Sequence, residues 1–358
     1  MAKFRIVGIS FDHMHMGDLL RMVHDHPNAE IAGIFDPDRD RMQAAATTFG
    51  IPEDRIFTDF DACIAAGPYD MAILCVATAQ HAEYTERLAS YDLHVFVEKP
   101  FAASADDARR MMTAMNRTDK QLIINWPLRW VESHVTAKRL IDDGMIGDLR
   151  EVHFYDGNRG PLFHLADKVE VTPDEVKRQK LNSWWYKQAS GGGSLLDYLG
   201  YGATLGTWFL GGKEPIEVTC TVDETPGIEV DQHAIAICRY ETGLSKMETR
   251  WGTFTDPWTT QPQPTCGFVF VGTDGTVSSP DYADHITVQT RTRPDRHEIP
   301  VTALPLGERN AIEYVLDCIS REIPVKGPLD PALCLTAQRI VDTALRSAHE
   351  KRTLPLLA

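Results

Sequence analysis

FRIVGISFDHMHMGDLLRMVHDHPNAEIAGIFD, residues 4–36, reads as strand, helix, strand. The apolar run at 4–10 fits a buried strand, and Leu19, Leu20 and Val23 recur at helical spacing until His26-Pro27 stops the helix. A second apolar run fills 30–35. Outward from this unit the alternation continues, with a helix predicted at 39–49, a strand at 71–76, a helix at 81–90 and a strand at 94–97. Strands and helices that alternate in this way build a parallel, doubly wound sheet.

Beyond Ile123-Ile124 the pattern changes. A helix is expected at 132–142, stopped by Gly144, and a strand at 149–155. A polar, irregular stretch at 156–190 carries Trp184-Trp185 and leads through Gly191-Gly192-Gly193 into an apolar helix to about Leu210. Strands at 216–222, 232–240, 246–251, 267–272 and 285–292 imply a large, open, mainly antiparallel second sheet, closed by helices at 311–320 and 331–351. The fold class is therefore α/β, with an N-terminal Rossmann-type domain at 1–124 and an α+β domain at 125–358. Neither repeats nor low-complexity tracts interrupt it.

The chain has 358 residues, 43% hydrophobic and 24% charged, which is enough apolar material for two cores. Its formal net charge of −15 opposes attraction to nucleic acid or to an anionic membrane surface, so neither partner is expected. Seven scattered cysteines form no Cys-x-x-Cys pair and read as buried thiols. With no apolar stretch of about 18 residues and no signal-like start, a cytoplasmic location is expected.

Gly8 closes the first strand and Asp36 the second, where a carboxylate accepts hydrogen bonds from ribose hydroxyls and repels a 2′-phosphate. That favours NAD; Arg39 and Arg41 nearby keep NADP as the less favoured choice. Read without its context, Asp36-Pro37-Asp38 is equally a turn that starts a helix. Of the glycine fingerprint only the first residue survives, since the chain runs Gly8-Ile9-Ser10-Phe11-Asp12-His13. Ser10 is small enough for a diphosphate to approach. His13 in the third glycine position would push the helix away from the strand unless the turn is longer, with Gly17 marking a later helix start, or it would donate to the diphosphate. His13, His15, His24 and His26 suggest metal, but no carboxylate or cysteine completes a ligand set, and no metal is expected.

Lys99, in Glu98-Lys99-Pro100, follows a parallel strand at the sheet edge where such folds bind ligands. A desolvated lysine there has its pKa pushed down and can share a proton with a hydroxyl. Asp197 and Tyr201 are spaced i,i+4 on the helix after the glycines and so share a face. An exposed lysine and a buried hydrogen-bonded pair are the plain structural alternatives.

Together these segments resemble the glucose-fructose oxidoreductase/inositol dehydrogenase family, Gfo/Idh/MocA, over nearly the whole length. The likeness rests on Asp36, Val97-Glu98-Lys99-Pro100, residues 125–129, Ile146-Gly147-Asp148, residues 191–201 and residues 330–356, which fall in the family's order. The resemblance implies Lys99, Asp197 and Tyr201 as the catalytic group. It also implies an NAD site of Gly8, Ser10, Phe11, Asp12, His13, Asp36, Thr78, His81, Glu98 and Lys99. Arg129 and Trp130 are expected to wall the substrate pocket, with Asn158, Arg159, Trp184, Trp185 and Lys187 selecting a carbohydrate. Tyrosine rather than histidine at 201 leans toward aldose-like or diol substrates.

Three features depart from the family pattern: the eroded glycine loop, Leu199 in place of glycine, and the short loop Thr78-Ala79-Gln80-His81. Two rivals to a dehydrogenase stand beside it, an NAD-dependent glycosidase acting through a transient 3-keto sugar and a non-catalytic NAD-binding sensor. A homodimer or homotetramer is expected from an exposed sheet face.

Overall fold

The computed structural model describes residues 3–163 and 171–358. The polar stretch read at 156–190 therefore lies partly outside the described residues. Two compact units form. The first holds Met1–Asn125, Leu162–Gln179 and Gly307–Pro331, and the second Trp126–Pro161, Lys180–Leu306 and Ala332–Ala358, each in its described part.

The first unit opens with β1 (Phe4–Ile9), α1 (His15–Asp25), β2 (Ala29–Phe35), α2 (Arg39–Phe49), β3 (Ile56–Phe57) and α3 (Phe60–Ala65). It continues with β4 (Met71–Leu74), α4 (His81–Leu88), β5 (His94–Val97), α5 (Ala105–Met115) and β6 (Leu122–Ile124). All six strands are parallel, in the order β3-β2-β1-β4-β5-β6. Ile6, Val7, Ile9, every residue of β4 and Val95–Val97 are buried, as unbroken apolar strands covered on both faces must be. The order in which strands are added reverses between β1 and β4, which opens a crevice at their carboxyl ends, the address at which doubly wound sheets bind ligands.

Local chemistry sets the helices. Asp38 caps α2 by accepting from the Asp40 amide, and Gly50 ends that helix with φ +62°. Ser104 caps α5 by accepting from the Asp107 amide at 3.1 Å.

His94 at the start of β5 accepts the Gln121 amide on Nδ1 at 3.0 Å, so the ring must stay neutral there. Burial, reinforced by Lys120, pushes its pKa down to about 4. The unfolded chain binds that proton near the ordinary 6.5, so stability is full above pH 6.5 and falls as pH drops toward about 4. Discounted for partial solvent access, the expected loss is about 1–2 kcal/mol. Urea midpoints of the parent and of His94→Gln, taken between pH 7 and 4, measure it; equal pH slopes for the two would refute it.

The second unit contains α6 (Glu132–Asp142), β7 (Leu149–Asn158), then past α7 (Pro173–Gln179, in the first unit) a turn of π-helix at Leu195–Leu199 that runs into α8 (Gly200–Phe209). Strands β8 (Glu217–Val222), β9 (His233–Arg239), β10 (Leu244–Trp251), β11 (Gly267–Gly272), β12 (Gly275–Pro280), β13 (His285–Thr290) and β14 (Arg293–Pro300) follow. Helix α9 (Ala311–Ser320) belongs to the first unit, before α10 (Pro331–Glu350) and β15 (Leu354–Pro355). The nine-stranded sheet has the order β14-β13-β12-β11-β7-β10-β9-β8-β15. Among the described residues of this sheet, β7 and β10 alone pair in parallel. Burial alternates along β8, β9 and β10, so one face is core and the other is exposed.

Candidate functional site

In the first unit the loop after β1 turns sharply. Ser10 adopts φ +65°, donates its amide to the Phe35 carbonyl at 2.7 Å and is buried, so a small polar residue occupies a left-handed position that glycine often fills. Gly8 sets the helix–strand spacing, since a Cβ there would stand 3.0 Å from Met16 Sδ on α1. Of the outcomes the loop leaves open, the turn is the longer one, and α1 keeps its place. The His13 ring is buried beside the loop, its amide donates to the Cys75 carbonyl at 3.0 Å, and α1 starts two residues later.

Asp36 is fully buried at the end of β2. Its Oδ2 accepts the Phe11 amide at 2.7 Å and its Oδ1 the Asp38 amide at 2.8 Å. Burial raises its pKa, against the pull of those two amides and of Arg41. Asp12 accepts the Ala77 amide at 3.1 Å and pairs with Arg41, tying the β1 loop to the β4 loop across the crevice. At the start of α1 the His13 ring takes the capping role, accepting the His15 amide on Nδ1 at 3.2 Å, while the helix dipole still directs its positive end toward the crevice. A carboxylate at the end of β2, a tight β1 turn and a helix start aimed at the crevice fit a dinucleotide, with His13 standing where the fingerprint has glycine.

Beyond β4, Thr78 is buried, and the buried His81 ring lies 3.1 Å from both the Val76 and the Phe101 carbonyls. Burial lowers its pKa, so the neutral ring braces these two loops by donating to one carbonyl at a time. Lys99 is 4% exposed and Glu98 fully buried directly after β5. Glu98 Oε1 lies 2.7 Å from His15 Nδ1, and its Oε2 accepts from Asn125 Nδ2 at 2.7 Å. His15 and these two hydrogen bonds keep the Glu98 pKa low despite burial.

The absence of a carboxylate near the histidines is therefore corrected by the fold. Donor atoms of His13, His15 and Glu98 lie within 4.8 Å of one another. The residues are adjacent in space because the loops after β1 and β5 end on the same sheet edge, although His15 and Glu98 are 83 positions apart.

In the second unit Asp197 and Tyr201 are both buried. The spacing was read on an α-helix, but the turn that carries Asp197 is π, a local widening that recurs at functional sites. Asp231 holds the start of this helix, accepting the Leu195 amide on Oδ2 at 2.8 Å and the Ser194 amide on its main-chain oxygen at 3.1 Å. Burial, with Asp223 and Asp197 nearby, raises Asp231 to about 7. Sequence reasoning missed this residue, which sits in an unremarkable loop 34 positions beyond Asp197.

The Tyr201 ring packs edge-on against Trp126 at 5.3 Å, and Asn158 donates to the Tyr198 hydroxyl while accepting the Gly160 amide at 2.8 Å. Arg159 is held by Asp256 at 2.7 Å and Lys187 by Glu229 at 2.9 Å. Trp184 stacks on the buried Trp185 with centroids 3.9 Å apart, and Arg129 lies over the rings of Trp130 and Trp208 at 4.9 and 5.0 Å. A second buried group joins Asp156, Cys266 and Asp281, whose Oδ1 is 2.7 Å from His134 Nε2.

Residues 2–126 match the model of the oxidoreductase family with an NAD-binding Rossmann fold, and residues 134–278 match the GFO/IDH/MocA C-terminal domain. The chain belongs to the GFO/IDH/MocA oxidoreductase family. It is 23% identical to inositol 2-dehydrogenase of Rhizobium meliloti over 344 residues, 94% of each chain. A match at 29% to D-apiose dehydrogenase of Paraburkholderia graminis covers 40% of this chain and 37% of that relative. Its fold is similar, with a TM-score of 0.79, 19% identity and 99% of both chains covered, to an oxidoreductase from Agrobacterium radiobacter in complex with NAD+, L-tartaric acid and magnesium. As a GFO/IDH/MocA member, the chain carries the family's NAD-binding Rossmann domain in its first unit. Among the described residues no helix is long and apolar enough to cross a membrane.

Proposed function

We propose that this GFO/IDH/MocA chain is an NAD-dependent dehydrogenase or reductase that works on a CH–OH group of a sugar, a sugar derivative or a polyol. The observation that carries the reading is Lys99, an ionisable side chain buried to 4% exposure directly after β5 at the ligand-binding edge of a parallel sheet. Acid–base work on a hydroxyl is a use that fits an amine at this address.

Residues 1–124 hold the dinucleotide in this reading and 125–358 the carbohydrate. Gly8, Ser10, Phe11, Asp12 and His13 cradle the diphosphate, Asp36 takes the adenosine ribose, and Thr78, His81 and Glu98 serve the nicotinamide half. Bound NAD supplies the hydride acceptor. Lys99 and Tyr201 are the groups that take or return the hydroxyl proton, and Asp197 orients a hydroxyl by accepting its hydrogen bond. Arg129, Trp130, Asn158, Arg159, Trp184, Trp185 and Lys187 select the substrate.

A panel of aldoses, inositols and glycosides, followed by NADH absorbance with NAD and with NADP, tests this. Reduction of NAD by at least one polyol or aldose is expected, faster than reduction of NADP. Glycoside cleavage without NADH accumulation would overturn it.

The exposed face of the second sheet carries Ile237, Leu244 and Val269, each more than a third exposed, and a second copy of the chain would cover it. A solution mass of two or four chains is expected from light scattering; a strictly monomeric mass at micromolar concentration would remove this part.

A further inference from the structure

We propose that His13, His15 and Glu98 form a site for a divalent first-row cation of the zinc type, built into the loop that in this chain replaces the glycine fingerprint. Two imidazoles and a carboxylate are a ligand set that suits zinc, cobalt and nickel, with one position left open for water or an anionic oxygen. The donor atoms already lie within 4.8 Å of one another. Around a tetrahedral ion with bonds of about 2.0–2.1 Å the donors stand roughly 3.4 Å apart. The 2.7 Å His15–Glu98 contact must therefore open slightly and the wider gaps close, a matter of side-chain rotation.

The surroundings of the cluster have the character of a ligand shell. Asn125 Nδ2 fixes the far oxygen of Glu98 at 2.7 Å, which leaves Oε1 turned to the histidines, as an orienting outer-shell hydrogen bond does in metal sites. Glu98 is fully buried and His13 nearly so, while the His15 side chain is 11% exposed, so the cluster is enclosed yet reached from solvent. The two rings lie 4.5 Å apart and tilted by 53°. An ion bound through His15 Nδ1 replaces its 2.7 Å contact with Glu98 Oε1, and one bound through His13 Nδ1 competes with the 3.2 Å hydrogen bond from the His15 amide. That amide lies in the first turn of α1, where it has no intrahelical acceptor to lose.

The site has a bearing on the eroded fingerprint. Where other loops present glycine amides to a diphosphate, this one presents two imidazoles and a carboxylate, and a cation held there would supply positive charge at the start of α1.

The test uses the full chain, stripped with chelator, without nucleotide or substrate. Its outcome is therefore independent of the dehydrogenase reading. Zinc is titrated calorimetrically and cobalt by visible absorption. One ion per chain is expected at this site, with cobalt bands of four- or five-coordinate geometry. His15→Gln and Glu98→Gln should each weaken zinc at least 100-fold, whereas His24→Asn, on the exposed side of α1, should leave it unchanged. Circular dichroism identifies a variant that fails to fold; should Glu98→Gln do so, His15→Gln decides alone. No stoichiometric binding by the parent, or equal affinity in parent and His15→Gln, would overturn the proposal.

Discussion

Replacing Lys99 with methionine is expected to cut turnover by a factor of roughly 10² or more while the chain still binds NAD, the loss typical of removing a positioned acid–base group. Methionine suits the site sterically, because Lys99 is 4% exposed and an unbranched apolar chain of similar length fills the same space. What disappears is the amine. A hundredfold loss corresponds to about 2.7 kcal/mol of activation free energy. Tyr201→Phe should act on turnover in the same direction. It keeps the ring that packs on Trp126 at 5.3 Å and removes only the hydroxyl, so the melting temperature should hold. Steady-state rates, NAD titration by fluorescence and thermal melts of both variants separate the roles. Undiminished turnover in either variant removes that residue from the chemistry, and lost NAD binding in Lys99→Met would make it a cofactor-holding group instead.

A large structural effect is expected at Gly192. A Cβ there would lie 2.2 Å from the Trp185 carbonyl oxygen and 2.6 Å from its carbon. Both partners are main chain and cannot rotate away. The adjacent Gly193 amide donates to that same Trp185 oxygen at 3.0 Å, so relieving the clash breaks the turn that leads into Leu195–Leu199. Gly192→Ala should cost about 2–4 kcal/mol, in the range of overpacking against fixed atoms, and should lower turnover by moving Asp197. Gly206→Ala in α8 is the counterpart, because its Cβ would meet only ordinary contacts at 3.7 Å and alanine favours a helix. Melting temperatures should fall clearly for the first and hold or rise for the second. A Gly192→Ala melt equal to that of the parent would refute the steric account.

Much of the fold was legible because hydrophobic period is a local property. Residues 39–49, 94–97, 132–142, 267–272 and 311–320 form the elements their apolar spacing predicts. Others escaped. Helix α5 (Ala105–Met115) carries an N-cap in Ser104, yet its polar face of Asp106, Asp107, Arg109 and Arg110 hid the period. β14, Arg-Pro-Asp-Arg-His-Glu-Ile-Pro, buries almost nothing and so has no alternation to read. Nor does the spacing in α9 tell which core it joins. The segment 307–331 returns to the first unit after more than a hundred residues in the second, and an apolar helix face looks the same wherever it packs.

The site divides along the same line. The sequence by itself determined the acidic residue at the end of the second strand, the lysine at the edge of the parallel sheet and the polar pair after the glycines, because each is a residue type at a fixed place in a periodic element. Only the tertiary structure decided that Ser10 takes a left-handed turn, that Asp231 holds the start of the Asp197 helix, that the helix opens as a π turn, and that Glu98 closes on His15. These are contacts between residues up to 83 positions apart, and sequence period fixes the course of the backbone without fixing which distant side chains meet.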